Sequence, residues 1–293
     1  MSLQQSVFVT GSSSGIGRSI CETLARKGHI VFATMRQVSG KNAAAAQELQ
    51  TLAQQENLAL HVIELDNTDD ASVVRAVDAA LSIAGKIDVV VNNAGVMAIG
   101  VSEAMTVSQV QQMYDVNVLG AFRVNQAVLP HMRERGAGYL IYVSSTGSLI
   151  VYPFMGMYGA TKAAFSSMAE ALHYEVYSLG IDTTILQCGG YATSLPNNVQ
   201  VGTREGIAET YGGMSGAIAN AVVGGFSTNL AAAGDPNEVG NLIADLMERP
   251  HGQRPLRQPV GPFSEPIHPA NEALGAMQGQ VLAAMQLDGL TKR

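Results

Sequence analysis

The chain has 293 residues, 47% of them apolar, with a formal net charge of −7. That length and apolar content can bury a large core, which excludes a disordered chain. The acidic balance and dispersed basic residues exclude a nucleic-acid groove or an anionic membrane surface as expected partners. MSLQQSVFVT has no basic flank or long apolar stretch, so no signal peptide is read. No stretch is apolar enough to predict a membrane span, and a cytoplasmic location is expected. Cys21 and Cys188 form no CxxC and are read as small thiols in a reducing compartment, with no metal site.

Residues 6–10, SVFVT, are a short apolar run rich in β-branched side chains that stops at Gly11, as a buried parallel strand does. GSSSGIG follows, then RSICETLARKG, whose Ile20, Leu24 and Ala25 recur at helical spacing. In a strand–turn–helix unit, Gly11, Gly15 and Gly17 suit a sharp turn, a phosphate close to backbone N–H groups, and tight helix–strand packing. Alone, they would equally serve an ordinary glycine-rich turn. HIVFATMR (29–36) reads as a second strand, whose end is where an adenosine ribose would rest. An acidic residue there would repel a 2′-phosphate; this chain instead has Met35 and Arg36, which favours NADP(H) unless Arg36 is only a solvated surface residue. Arg18 could add positive charge from just past the glycines.

Residues 40–56 predict an amphipathic helix, and LALHVIELD (58–66) a third strand. That strand ends in Asp66, placed either to accept from an adenine amino group or to cap the next helix. KIDVVVNNAG (86–95) predicts a fourth strand ending in Asn92, Asn93, Ala94 and Gly95, residue types expected where a loop backbone approaches a ligand. Residues 107–135 read as one long helix carrying Asn117, an unfavourable residue in mid-helix unless it has a special partner.

GYLIYVSS (138–145) predicts a fifth strand delivering Ser145 to the same edge, and residues 156–179 a helix with Tyr158 and Lys162 one turn apart on one face. An ammonium there would draw the phenol's pKa down from about 10 toward a range useful for proton transfer. IDTTILQCGGYATS supplies a sixth strand and another glycine-bearing loop. Residues 194–233 are glycine-rich and without clear period, as a substrate lid would be. Asp235 and Pro236 suit the start of a further helix, residues 254–262 predict a proline-containing edge strand, and residues 271–285 a terminal helix.

Laid out in this way, the chain closely resembles the classical short-chain dehydrogenase/reductase family. Thr10–Gly17 matches its TGxxxGIG turn, Asn92–Gly95 its NNAG, Tyr158 to Lys162 its YxxxK; Ser145 and Asn117 stand at its catalytic serine and asparagine. The match runs from residue 6 to about 193. One departure is visible: Cys188-Gly189 replaces the usual Pro-Gly, with Thr193 in place, which puts in question the rigidity of the loop that meets the nicotinamide amide.

The expected fold is α/β, a Rossmann-like doubly wound parallel sheet of about seven strands with helices on both faces. It would form a single domain over residues 1–293, with residues 234–293 as a C-terminal extension. The resemblance implies a cofactor site at Gly11, Ser13, Ser14, Gly15, Ile16, Gly17, Arg36, Asp66, Asn67, Asn92, Ala94, Gly95, Tyr158, Lys162, Gly189 and Thr193. It also implies a reaction in which NADPH gives hydride to a carbonyl carbon while Tyr158 protonates the oxygen. In that scheme Lys162 lowers the phenol's pKa and binds the nicotinamide ribose, Ser145 orients the carbonyl, and Asn117 holds a water that links Lys162 to solvent. A homodimer or homotetramer is the family's habit.

Met97, Tyr152, Phe154, Met155, Tyr191 and Leu195 flank the predicted site beside Ser145 and are expected as apolar pocket walls, unless they are core. They favour a hydrophobic ketone, aldehyde or secondary alcohol. Two other readings stay open: a non-catalytic NADP(H) sensor, and a dehydratase or epimerase that retains its cofactor through each cycle.

Overall fold

The computed structural model describes residues 3–191, 199–212 and 234–291. Apolar runs alternate with helical stretches from the start of the chain. They give β1 (Ser6–Thr10), α1 (Gly15–Arg26), β2 (Ile30–Met35), α2 (Ala43–Gln55), β3 (Leu60–Glu64), α3 (Asp70–Ala84) and β4 (Val89–Asn92). After these come α4 (Val107–Tyr114), α5 (Gly120–Arg135), β5 (Gly138–Val143), α6 (Gly156–Val176), β6 (Ile181–Cys188), the one-turn α7 (Ile207–Thr210), α8 (Asn237–Glu248), β7 (Arg257–Val260) and α9 (Ile267–Ala284). All seven strands pair in parallel, in the order β3-β2-β1-β4-β5-β6-β7.

The central strands are buried on both faces, which is why they read as continuous apolar runs. Odd-numbered residues such as Val7, Val31, Val89 and Ile141 pack with α1, α2 and α8, whereas Phe8, Phe32, Val90 and Leu140 pack with α3, α5 and α6. The chain turns from one side of β1 to the other when it passes from β3 to β4. The carboxyl ends of β1 and β4 therefore diverge into the crevice where such sheets bind ligands.

The predicted helix over 107–135 is instead two helices joined by a π-helical turn, Asp115–Leu119, with Asn117 inside it. The start of α8 is as expected: Asp235 Oδ1 accepts from the Asn237 N–H at 2.9 Å. β7 is an edge strand, where Pro259 costs no central ladder bond. α9 begins four residues before the predicted residue 271. Of the stretch expected as a lid, residues 194–198 and 213–233 lie outside the described residues. The described part, 199–212, is tied to the segment ahead of α4: Ala98 and Gln200 form a parallel bridge, and Arg204 Nη1 donates to the Glu103 carbonyl at 2.8 Å.

Candidate active site

A cavity of about 580 Å³ opens at the carboxyl ends of β1, β2, β4 and β5, bounded at one end by the glycine turn and at the other by Tyr158, Lys162 and Gln200. Of the residues expected to hold a cofactor, Gly11, Ser13, Ser14, Gly15, Ile16, Gly17, Arg36, Asn67, Ala94, Gly95, Tyr158 and Lys162 line it.

The turn is held open by its neighbours. Thr10 Oγ1 accepts from the backbone N–H groups of Asn93 (2.9 Å) and Ala94 (3.0 Å), and Asn93 Nδ2 donates back to the carbonyls of Thr10 (2.9 Å) and Gly11 (3.1 Å). Gly11 is in the left-handed region at φ 71°, and a Cβ on Gly17 would overlap both the Asn93 amide and the Gly11 carbonyl. Ser14 precedes α1 without a side-chain cap, and no acidic residue stands in that helix's first turn. The exposed donors and positive end of α1 therefore face the cavity, an arrangement that fits a diphosphate.

At the end of β2 the cavity is lined by Arg36, Lys41 and Asn42, and no Asp or Glu lines it anywhere among the described residues. Lys41 was not anticipated, although it stands only five residues beyond Arg36 and past the strand end. Arg18 does not add its charge here, because its guanidinium is paired with Glu22 and Glu48.

Other expectations fail for reasons of packing. Asn92 turns into the core, where its Nδ2 donates to Asn125 Oδ1 at 3.0 Å and Asn125 in turn donates to the Tyr142 hydroxyl at 2.7 Å. Its neighbours Asn93, Ala94 and Gly95 form the cavity wall instead. Asp66 neither lines the cavity nor caps α3. Its carboxylate accepts from the N–H (3.0 Å) and hydroxyl (2.7 Å) of Thr68, and the cap is Asp69, which accepts from Ala71 N–H at 2.9 Å. Burial would raise the Asp66 pKa, but the Thr68 hydrogen bonds and the nearby arginines outweigh it and hold the carboxyl below its usual range. Asn67 does line the cavity, held by donation from its Nδ2 to the Val116 carbonyl at 3.0 Å.

Gly189 is needed for close packing, because a Cβ there would overlap the Pro262 carbonyl. Its N–H donates to Val260 at 2.9 Å, so the loop with the Cys188 departure stays tethered to β7. Cys188 itself is buried, and that burial pushes its thiol up to about 12. Thr193 lies outside the described residues.

The four proposed catalytic groups come together. Lys162 Nζ donates to the Val143 carbonyl at 2.9 Å. Asn117 brackets Val96, accepting from its N–H at 2.7 Å and donating to its carbonyl at 2.9 Å, and its Nδ2 also reaches Thr161 Oγ1 at 2.9 Å. The special partner expected for a mid-helix asparagine is therefore the loop after β4. Ser145 Oγ accepts from Gly147 N–H at 3.0 Å and lies within hydrogen-bonding reach of Tyr158.

The electrostatics differ from the expectation. Burial pushes the Tyr158 phenol up to about 12, although the hydrogen bond from Ser145 pulls it back. Burial also holds the Lys162 ammonium down at about 8. Desolvation disfavours the charged form of both groups, and it outweighs what acidifies the phenol, which is the Ser145 hydrogen bond rather than the Lys162 charge. The phenol therefore stays protonated through the neutral range, which is the state a proton donor needs.

Of the expected pocket walls, Met97, Met155 and Tyr152 pack with Tyr158 in one apolar cluster with Ala98, Ile99 and Met113. Phe154 sits on the loop before α6 in the left-handed region, φ 64°, its carbonyl accepting from Gly100 N–H at 2.8 Å. Tyr191 is buried. It belongs to the core shared with α8 and β7, where its hydroxyl donates to Glu238 Oε2 at 3.1 Å. Leu195 lies outside the described residues. Gln200 lines the cavity and had no signal in the sequence.

A doubly wound sheet with a glycine turn at its switch point and a buried tyrosine–lysine pair at the same crevice defines a nicotinamide-dependent oxidoreductase. The comparisons agree: the chain belongs to the short chain dehydrogenase family, whose model matches residues 5–203. It is 33% identical to the oxidoreductase YusZ of Bacillus subtilis over 261 residues, covering 87% of this chain and 88% of that one. It is 32% identical to the 3-ketodihydrosphingosine reductase of Bacteroides thetaiotaomicron over 208 residues, 71% of each chain. A short-chain dehydrogenase structure from Streptomyces avermitilis superposes with a TM-score of 0.76 at 26% identity, covering 98% of both chains.

Proposed function

We propose that this oxidoreductase reduces a hydrophobic ketone or aldehyde to the alcohol, reversibly, with NADPH preferred over NADH. The observation that carries the reading is Tyr158: buried, its phenol held toward the protonated form by that burial, within reach of Ser145, and standing where the cofactor cavity meets the apolar Met97–Met155 cluster. When bound, the nicotinamide supplies the hydride.

The chain's own groups do the rest. The α1 N-terminus and the glycine turn bind the diphosphate, and Arg36 and Lys41 meet a 2′-phosphate with no lining carboxylate to oppose it. Ser145 orients the carbonyl oxygen, and Tyr158 Oη gives that oxygen its proton as negative charge develops. Lys162, anchored on the Val143 carbonyl, steadies the site electrostatically. Asn117 fixes the loop carrying Val96 against α6 through Thr161. The relative named for a ketolipid supports an apolar carbonyl substrate here.

The test is a carbonyl and alcohol panel followed by NADPH and NADH absorbance. Turnover of apolar ketones with NADPH is expected; cofactor binding without oxidation across the panel would favour a sensor, and bound cofactor with no net consumption a retaining dehydratase or epimerase. Arg36→Ala with Met35→Asp should lower the NADPH/NADH preference, and unchanged selectivity would refute the NADP assignment.

A further inference from the structure

Among the groups lining the cavity, Gln200 has no task in the reaction described above. Its backbone is fixed by donation from its N–H to the Met97 carbonyl at 2.9 Å and from the Ile99 N–H to its own carbonyl at 3.0 Å. Met97 and Ile99 belong with Met155 and Tyr158 to the apolar cluster, and Val199 packs against the same cluster. Gln200 is therefore pinned beside the apolar cluster that holds Tyr158, remote in the chain from the glycine turn and from Arg36.

Its side chain is unusual for such a place. Gln200 lines the cavity, but its side-chain oxygen is turned away from open space, buried and without a hydrogen-bond donor. A buried acceptor left without a partner is costly, and buried side-chain amides are almost always paired. An apolar residue would fill the same space beside methionines at no such cost. A rotation about the terminal torsion would bring the carboxamide to the cavity, where a ligand could supply the missing partner.

We propose that Gln200 is a specificity-determining residue which reads a second oxygen function on the substrate, a hydroxyl at a fixed distance from the reacting carbonyl. A hydroxyl both donates and accepts, so it satisfies either end of the carboxamide. The substrate class narrows from hydrophobic carbonyl compounds to hydrophobic hydroxy-ketones or hydroxy-aldehydes. The inference rests on the carbonyl-reductase reading of the site. Sites built to hydrogen-bond a substrate hydroxyl discriminate against analogues lacking it far more strongly than apolar pockets discriminate by size.

The experiment compares medium-chain 2-alkanones with their hydroxylated counterparts, the hydroxyl moved carbon by carbon along the chain, in NADPH oxidation by the full-length enzyme. At least one hydroxylated isomer should exceed its parent ketone in kcat/KM by about tenfold or more. That ratio should collapse toward one in Gln200→Met, which keeps side-chain length, and be largely restored in Gln200→Glu, which keeps an acceptor. Equal thermal midpoints in all three proteins report that the variants fold, and NADPH affinity is measured beside them by fluorescence.

A wild-type enzyme that reduces the parent ketones and favours no hydroxylated isomer overturns the inference alone, as does a preference that survives Gln200→Met. NADPH affinity that falls tenfold in Gln200→Met, with the substrate ratio intact, would assign the amide to the cofactor and overturn it too. A wild-type enzyme that reduces none of the carbonyl compounds removes the parent reading, and the inference with it.

Discussion

Tyr158 and Lys162 are two groups whose charged forms are both suppressed by burial, and their titration follows from that. Lys162 has its folded pKa near 8 against an ordinary 10.5. Its ammonium is therefore present below about pH 8 and lost above it, while the unfolded chain keeps the proton to about 10.5; the burial penalty on stability is full below pH 8 and relieved as pH rises through that window. Activity should run the other way. If the reduction needs the ammonium, kcat/KM should be flat through neutrality and fall above about pH 8; a profile level to pH 10 would show that this charge is not required. Tyr158→Phe removes the proton and keeps the ring, so cofactor affinity should hold while kcat drops by about 10²–10⁴-fold, the usual worth of a positioned acid. Ordinary turnover in that variant would end the proton-donor role. The sequence shows that an amine stands one turn from a phenol, but how dry the pair becomes depends on Val143 and Cys188 arriving from the ends of β5 and β6. For that reason the residues were legible and the direction of the phenol's shift was not. Arg18 was half legible, since Glu22 is four residues on along the same helix, but Glu48 comes from α2.

Strands and turns were read closely because each is a local matter of apolar runs, glycines and spacing. The errors fall where one element depends on another. Residues 107–135 have an unbroken helical pattern, yet the helix widens at Asp115–Leu119, where Asn117 holds the loop after β4 and Thr161 of α6. Nothing local marks that partner. Gly189 resembles a ligand-approach glycine by its neighbours in sequence, but it is tight because Pro262 arrives from beyond β7. Gly189→Ala should therefore cost about 1–3 kcal/mol of stability, as overpacking does, read as a lower denaturant midpoint at unchanged m-value. A variant as stable as the parent but weaker for NADPH would return Gly189 to the cofactor site. Asp69→Ala removes the α3 cap and should cost about 1 kcal/mol, whereas a change at Asp66 should act through the Thr68 turn and leave that helix's N-terminus capped.

At the scale of the whole molecule, the strand order is what gathers these residues. The switch between β1 and β4 brings Gly11, Asn93 and Tyr158 to one crevice although they come from widely separated stretches of chain. Binding there bridges both halves of the sheet, so a cofactor that fits should stabilise the entire fold by mass action, about 2.7 kcal/mol at a hundred times Kd. For a chain of this size that corresponds to a rise in Tm of several degrees, on the order of 5 °C. NADPH should give this shift at a concentration where NADH gives less, since only NADPH carries the phosphate that Arg36 and Lys41 can meet. Arg36→Ala with Lys41→Ala should bring the two shifts together by reducing the NADPH response alone, because both side chains are exposed and hold no part of the core. Equal shifts in the parent protein would show that the positive edge of the cavity does not select the cofactor. This measurement needs no substrate, so it separates the cofactor assignment from any question of which carbonyl compound is reduced.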